Sequence, residues 1–175
     1  MRTDLRTLTK MAMCTALICV TAYIVFPLPF TPDMVTAQTL ALSVTAYLLS
    51  PKQTLAVIAT YILIGVAGLP VFSGGTAGFG KLFGPTGGFI LAWLIAFPLL
   101  SLAKGATPNF KRYFIANVLI AVPITYIGGL ISLVILMDVT LLQALTMAVF
   151  PFIPGDLMKA AAAALLGVRV NLSLK

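Results

Sequence analysis

The stretch FPFIPGDLMKAAAAALLG, from Phe150 to Gly167, sets an acid, Asp156, and a base, Lys159, among apolar residues. Two prolines, Pro151 and Pro154, stop any helix just ahead of the pair, and the alanine-rich run after it restarts one. Three positions apart, the two charges share one helix face. The chain around them has 175 residues, 61% hydrophobic and 9% charged. A soluble domain carries about 25% charged residues, so these charges are too few to cover a water-facing surface. The chain is therefore expected to be an integral membrane protein, all-α, forming a single domain over residues 1–175.

Apolar runs bounded by breakers predict six spans. They are Leu8 to Phe26, Val35 to Leu49, Thr54 to Gly68, Gly87 to Ala103, Tyr113 to Met137 with a kink at Pro123, and Leu141 to Val168 interrupted at Pro151 and Pro154. The second and third fall short of the ~20 residues a straight span needs, so their ends are expected to be buried among neighbouring helices.

Charge sets the orientation. With the N-terminus in the cytoplasm, nine basic residues lie inside: Arg2, Arg6, Lys10, Lys52, Lys104, Lys111, Arg112, Arg169 and Lys175. Lys81 alone lies outside, and Lys159 lies within the last span. The positive-inside rule favours this arrangement, with both termini cytoplasmic and the chain multi-pass in the cell membrane. The net charge of +7 thus belongs to loops facing an anionic leaflet rather than to a nucleic-acid interface. There is no histidine, and Cys14 and Cys19 fall on different faces of one helix, so neither a metal site nor a disulfide is expected.

Two regions on the outer side carry the candidate chemistry. The long loop GLPVFSGGTAGFGKLFGPTGG between the third and fourth spans, with the helix start after it, holds eight of the fourteen glycines. Apolar Val71, Phe72, Phe79, Leu82 and Phe83 interleave with them, so the loop is expected to fold as a lid over a ligand. Gly74 and Gly75 would approach the ligand most closely, with Phe72, Ser73 and Thr86 nearby and Lys81 as the one outer cation. No G-x-x-x-x-G-K-[ST] pattern is present, which argues against nucleotide binding. The second region is the Asp156–Lys159 pair. It is readable as a charge-stabilised helix start with a salt-bridge partner, and also as a polar grip facing a cavity, since ionisable groups among apolar spans mark functional sites. Acceptors on one residue and donors on the other suit a planar group such as a urea, with N–H on one edge and C=O on the other. Ala12 and Ala16, four apart in the first span, form a small-residue patch that lets another helix approach.

The stretches GLPVFSGGTAGFGKLFGPTGGF and PFIPGDLMKA, in this order, resemble the BioY family of biotin-specific S components of energy-coupling factor transporters. AQTLA at Ala37 to Ala41 also fits the family's second span, and the resemblance covers nearly the whole chain. It implies high-affinity capture of extracellular biotin with no cofactor. Asp156 and Lys159 would be the binding pair, the glycine-rich loop the gate, and Ala12 and Ala16 the docking patch. The implied partners are a transmembrane coupling subunit and two cytoplasmic ATPases. On the residues alone, a stand-alone vitamin carrier with Asp156 as its proton site and a small intramembrane enzyme remain alternatives.

Overall fold

The computed structural model describes residues 4–27 and 34–173. Of the residues read above, Arg2, Lys175 and positions 28–33 of the first connection lie outside this range. The chain is mostly helical. Helix α1 (Leu5–Thr21) leads into strands β1 (Val25–Pro27) and β2 (Met34–Thr36), followed by α2 (Gln38–Leu48), α3 (Pro51–Val66) and a one-turn α4 (Phe79–Leu82) within the long loop. Then come α5 (Gly87–Ala103), α6 (Phe110–Ala116), a π-helical turn at Asn117–Ala121, α7 (Val122–Met137), α8 (Leu141–Ala148) and α9 (Ile153–Ser173).

The all-α expectation needs one correction. The ends assigned to the first two spans are a small antiparallel sheet, in register Val25 with Thr36 and Phe26 with Val35. The physical reason is local. A residue preceding proline is pushed to extended conformations, so Phe26 before Pro27 cannot prolong the helix, and β-branched Val25, Val35 and Thr36 suit the pleat.

The other boundaries follow their own sequence signals. Helix α3 begins with Pro51 in its first turn, and the Gln53 side chain accepts a hydrogen bond from Ser50 N at 2.9 Å. The expected kink at Pro123 is resolved as a π turn just before it: Val122 N donates to Asn117 O, five residues back. Proline has no N–H for the next bond and its ring crowds the carbonyl four residues earlier, so the helix widens locally. Helices α6 and α7 still run as one apolar helix of 28 residues, Phe110–Met137. At ~1.5 Å per residue this exceeds the ~30 Å hydrocarbon core of a bilayer. Pro151 lies in the break between α8 and α9, which meet at 51°.

Helix α2 is the centre of the packing. Its 11 residues are buried almost all round, from Gln38 to Tyr47, against α1, α5 and α9. It is too short to cross a bilayer alone, and its C-terminal carbonyls are satisfied from α5: Ser101 Oγ donates to Leu49 O at 2.6 Å, and Lys104 Nζ to Ala46 O at 3.0 Å and also to Leu49 O. Helices α5 and α7 touch through glycine. A Cβ on Gly88 would lie 2.1 Å from the Gly128 carbonyl oxygen, and one on Gly128 would lie 2.5 Å from Ala92 Cβ. Leu63, Leu102, Leu119 and Ile135 are each about two-thirds or more exposed, an apolar exterior suited to lipid.

Candidate binding cavity

Helix α9 starts at Ile153 with Pro154 in its first turn, which also holds Asp156, where the helix dipole favours an anion. Lys159 Nζ lies 2.5 Å from Asp156 Oδ1, and the two side chains are only 17% and 13% exposed, respectively. Asp156 Oδ2 accepts a second bond, from Tyr126 Oη on α7, also at 2.5 Å. Lys159 Nζ further donates to the Thr36 carbonyl of β2 at 3.2 Å. The pair thus ties α9 to α7 and to the β-hairpin, and one N–H of the ammonium is left for another acceptor.

Two adjoining cavities open beside this pair, with about 320 and 530 Å³ of empty space, part of it reaching solvent. Both are bounded by Thr39 of α2, Thr125 and Tyr126 of α7, and Asp156 and Lys159 of α9. The smaller one continues to Ser43, Asn117 and Phe97. The larger lies under the long loop and reaches Ser73, Lys81, Thr86, Phe89 and Trp93. Three buried side-chain atoms have no hydrogen-bond partner among the described residues: Thr39 Oγ1, Trp93 Nε1 and Thr125 Oγ1. All three residues line the larger cavity. An unpaired buried polar group is costly, and all three belong to residues of this one cavity.

The structure brings Asp156, Lys159, Ser73, Lys81 and Thr86 to one cavity. It does not bring Phe72, Gly74 or Gly75 there. The Phe72 ring is fully buried in the protein core, edge-on to Tyr61 and in the space a side chain at Gly65 would occupy. Gly74 N donates to Ala22 O, and a Cβ on Gly75 would lie 3.1 Å from the Tyr23 ring. Gly75 also has φ of 74°, so its glycine is demanded by backbone conformation and by the end of α1, not by the cavity. The start of the loop is pinned: Tyr61 Oη donates to Val71 O at 3.0 Å, Gln38 Nε2 donates to Tyr61 Oη at 2.6 Å, and Ser73 Oγ donates to Gln38 Oε1 at 3.1 Å. Phe79 and Phe83, expected among the apolar residues of the lid, stack on each other with both rings largely exposed. Ala12 and Ala16 lie on an exposed face of α1, away from the cavity. Sequence reading missed Thr125 and Tyr126. They sit in an apolar run where nothing distinguishes them from packing residues until α7 is set against α9.

The BioY family model matches residues 1–175. A probable biotin transporter BioY of Bacillus subtilis is 33% identical over 84% of this chain and 80% of its own. The biotin transporter BioY of Thermotoga maritima is 32% identical over 95% of this chain and 96% of its own. Among solved structures, the S component for biotin from an ECF-type ABC transporter superposes with a TM-score of 0.88 at 27% identity, covering 98% of this chain and 95% of that one. A second bacterial ECF S component shares the fold at a TM-score of 0.63. With its sequence matched end to end and its helices superposed over nearly their whole length, the chain belongs to the BioY family.

Proposed function

We propose that this protein is the biotin-binding S component of an ECF transporter and that it captures biotin at the outer face of the cell membrane for uptake. Its work is binding and transport rather than catalysis. The observation that carries the reading is the cavity at Asp156 and Lys159, lined in addition by three buried polar atoms without partners. Biotin is a cyclic urea fused to an apolar thioether ring, with a carboxylated tail. The urea needs an acceptor for its N–H groups and a donor for its C=O, and Asp156 and Lys159 supply them side by side. Phe89, Ile90 and Phe152 offer the ring an apolar wall. Lys81, at the loop side of the same cavity, answers the tail carboxylate, with Ser73 and Thr86 beside it.

In this reading the protein is one domain with six spans, made of α1, α2, α3, α5, the continuous α6–α7 helix and the bent α8–α9 pair. Both termini face the cytoplasm, and the loop between α3 and α5 faces outside. The root of the gate is held by Gln38, Tyr61 and Phe72 and by the Gly78 N–H on Gly65 O, and the part that closes is the segment after Gly78, where Phe79 and Phe83 are exposed. The exposed face of α1 bearing Ala12 and Ala16 docks on a transmembrane coupling subunit, which joins it to two cytoplasmic ATPases.

The test is calorimetric titration of the detergent-purified protein with biotin and, in parallel, with other vitamins. Saturable one-to-one binding of biotin alone is expected. Tighter binding of another vitamin, or none of biotin, would remove the assignment.

A further inference from the structure

Most helical threonines in this protein satisfy themselves within their own helix. Thr9, Thr15, Thr21, Thr45, Thr54 and Thr60 each donate their hydroxyl to the carbonyl four residues back, at 2.8–3.1 Å. This is the usual way a threonine satisfies itself inside an apolar helix. Thr39 and Thr125 are the two whose buried hydroxyls have no partner among the described residues, and both line the cavity. For Thr39 the carbonyl four residues back belongs to Val35, in strand β2 rather than in the helix. For Thr125 it belongs to Ala121, the last residue of the π turn. In both cases an irregular backbone sits where the internal acceptor would otherwise be.

Trp93, the single tryptophan of the chain, is the third such residue. It is 3% exposed, and its ring packs at 6.1 Å from that of Tyr61. An indole N–H donates and never accepts, so it calls for an acceptor placed in the cavity. Its cavity neighbours leave that need unmet: no described residue reaches the indole nitrogen.

We propose that Trp93 and Thr125 are ligand-contacting residues, the indole N–H donating to an oxygen of the bound molecule and the Thr125 hydroxyl bonding to it alongside. The proposal rests on the biotin reading and deepens it. Helix α9 grips the ligand through the charged pair, and α5 and α7 hold it through neutral donors that a ligand lacking a matching oxygen leaves unpaired. Biotin carries two such oxygens, in the urea carbonyl and in the carboxylate. The chemistry is the same for both, and a biotin analogue whose tail ends in a methyl group in place of the carboxylate tells them apart.

The experiment uses the full-length protein labelled with ¹⁵N-tryptophan, which gives one indole N–H resonance. Adding biotin is expected to move that proton downfield, as a new hydrogen bond does. Trp93→Phe, which keeps the ring against Tyr61, and Thr125→Val, which keeps the shape, are each expected to weaken biotin binding about ten-fold, the worth of one hydrogen bond. The methyl-ended analogue suffering the same loss in Trp93→Phe assigns the bond to the urea oxygen, and indifference of that analogue to the substitution assigns it to the carboxylate. An indole resonance unmoved by saturating biotin overturns the proposal, even if Trp93→Phe fails to fold. So does unchanged affinity in a folded Trp93→Phe variant while the unaltered protein binds. Failure of the unaltered protein to bind biotin is a different result: it refutes the functional reading, and this inference with it.

Discussion

Asp156 has both carboxylate oxygens in use, one on Lys159 and one on Tyr126. A charged acceptor in such surroundings is worth more than a neutral one, with hydrogen bonds to charged groups contributing ~1.5–3 kcal/mol. Asp156→Asn keeps the shape and loses the charge. It is expected to weaken biotin binding about ten- to a hundred-fold while leaving the protein inserted and folded. Titration of the purified variant checks this, and unchanged affinity removes Asp156 from the site. Lys159→Met is expected to act on both affinity and stability, because it leaves the carboxylate with Tyr126 alone. The cost should fall below the ~3–5 kcal/mol of a fully buried broken pair, since both side chains keep some exposure. A lowered melting temperature together with weaker binding is the expected signature. Tyr126→Phe separates the two effects: it removes one donor to Asp156 and leaves the ion pair, so a loss of affinity smaller than that of Asp156→Asn is expected.

At the scale of elements, the loop between α3 and α5 is two devices in one. Its first half is anchored by the Phe72 ring, which lies where a side chain at Gly65 would be. Gly65→Ala would set a Cβ 2.3 Å from that ring, and a ring packed in the core cannot yield cheaply. The expected cost is ~1–3 kcal/mol of overpacking. With it the Tyr61 and Gln38 bonds to the loop loosen, so limited proteolysis should cut residues 69–80 faster than in the unaltered protein. Cleavage at the original rate would mean that Phe72 does not anchor the loop. The second half is tied by the Gly78 N–H on Gly65 O at 2.8 Å and by the buried Leu82, while Phe79 and Phe83 stand exposed. This half is where hydrogen exchange should slow on binding biotin. The same bookkeeping of backbone groups explains how α2 can be so short. Its last carbonyls bond to Ser101 and Lys104, so it needs no further turn to reach water.

At the scale of the whole molecule, the two ends do different jobs. The cavity, the loop and the charged pair sit together at one end, and Ala12 and Ala16 lie on a face of α1 that no other part of the described chain covers. Ala16→Trp is therefore expected to leave biotin affinity unchanged and to abolish uptake by keeping the coupling subunit's helices at a distance. Normal co-purification of the coupling complex with this variant would count against docking through α1. The orientation is testable in the same cells. A cysteine placed at Lys81 should react with an impermeant thiol reagent from outside, and one at Lys52 only after permeabilisation.

Membrane embedding, helix breaks and the charged pair were legible in the sequence because they depend on local quantities. Apolar content fixes the solvent, Pro151 marks the break between α8 and α9, Pro123 marks the π turn, and i,i+3 spacing sets Asp156 beside Lys159. The family, too, was legible from the order of the loop and PGD motifs. What the sequence left open depends on contacts far apart in the chain. Whether Phe72 meets a ligand or Gly65, whether Gly75 faces the cavity or Tyr23, and whether Val25 pairs with Thr36 are decided by which elements pack together, and no spacing rule encodes that. The same holds for Thr39, Trp93 and Thr125. On three different helices they read as packing residues. Only when α2, α5 and α7 close round one space do their polar atoms become unpaired, because a hydrogen bond is missing only relative to the surroundings that folding supplies.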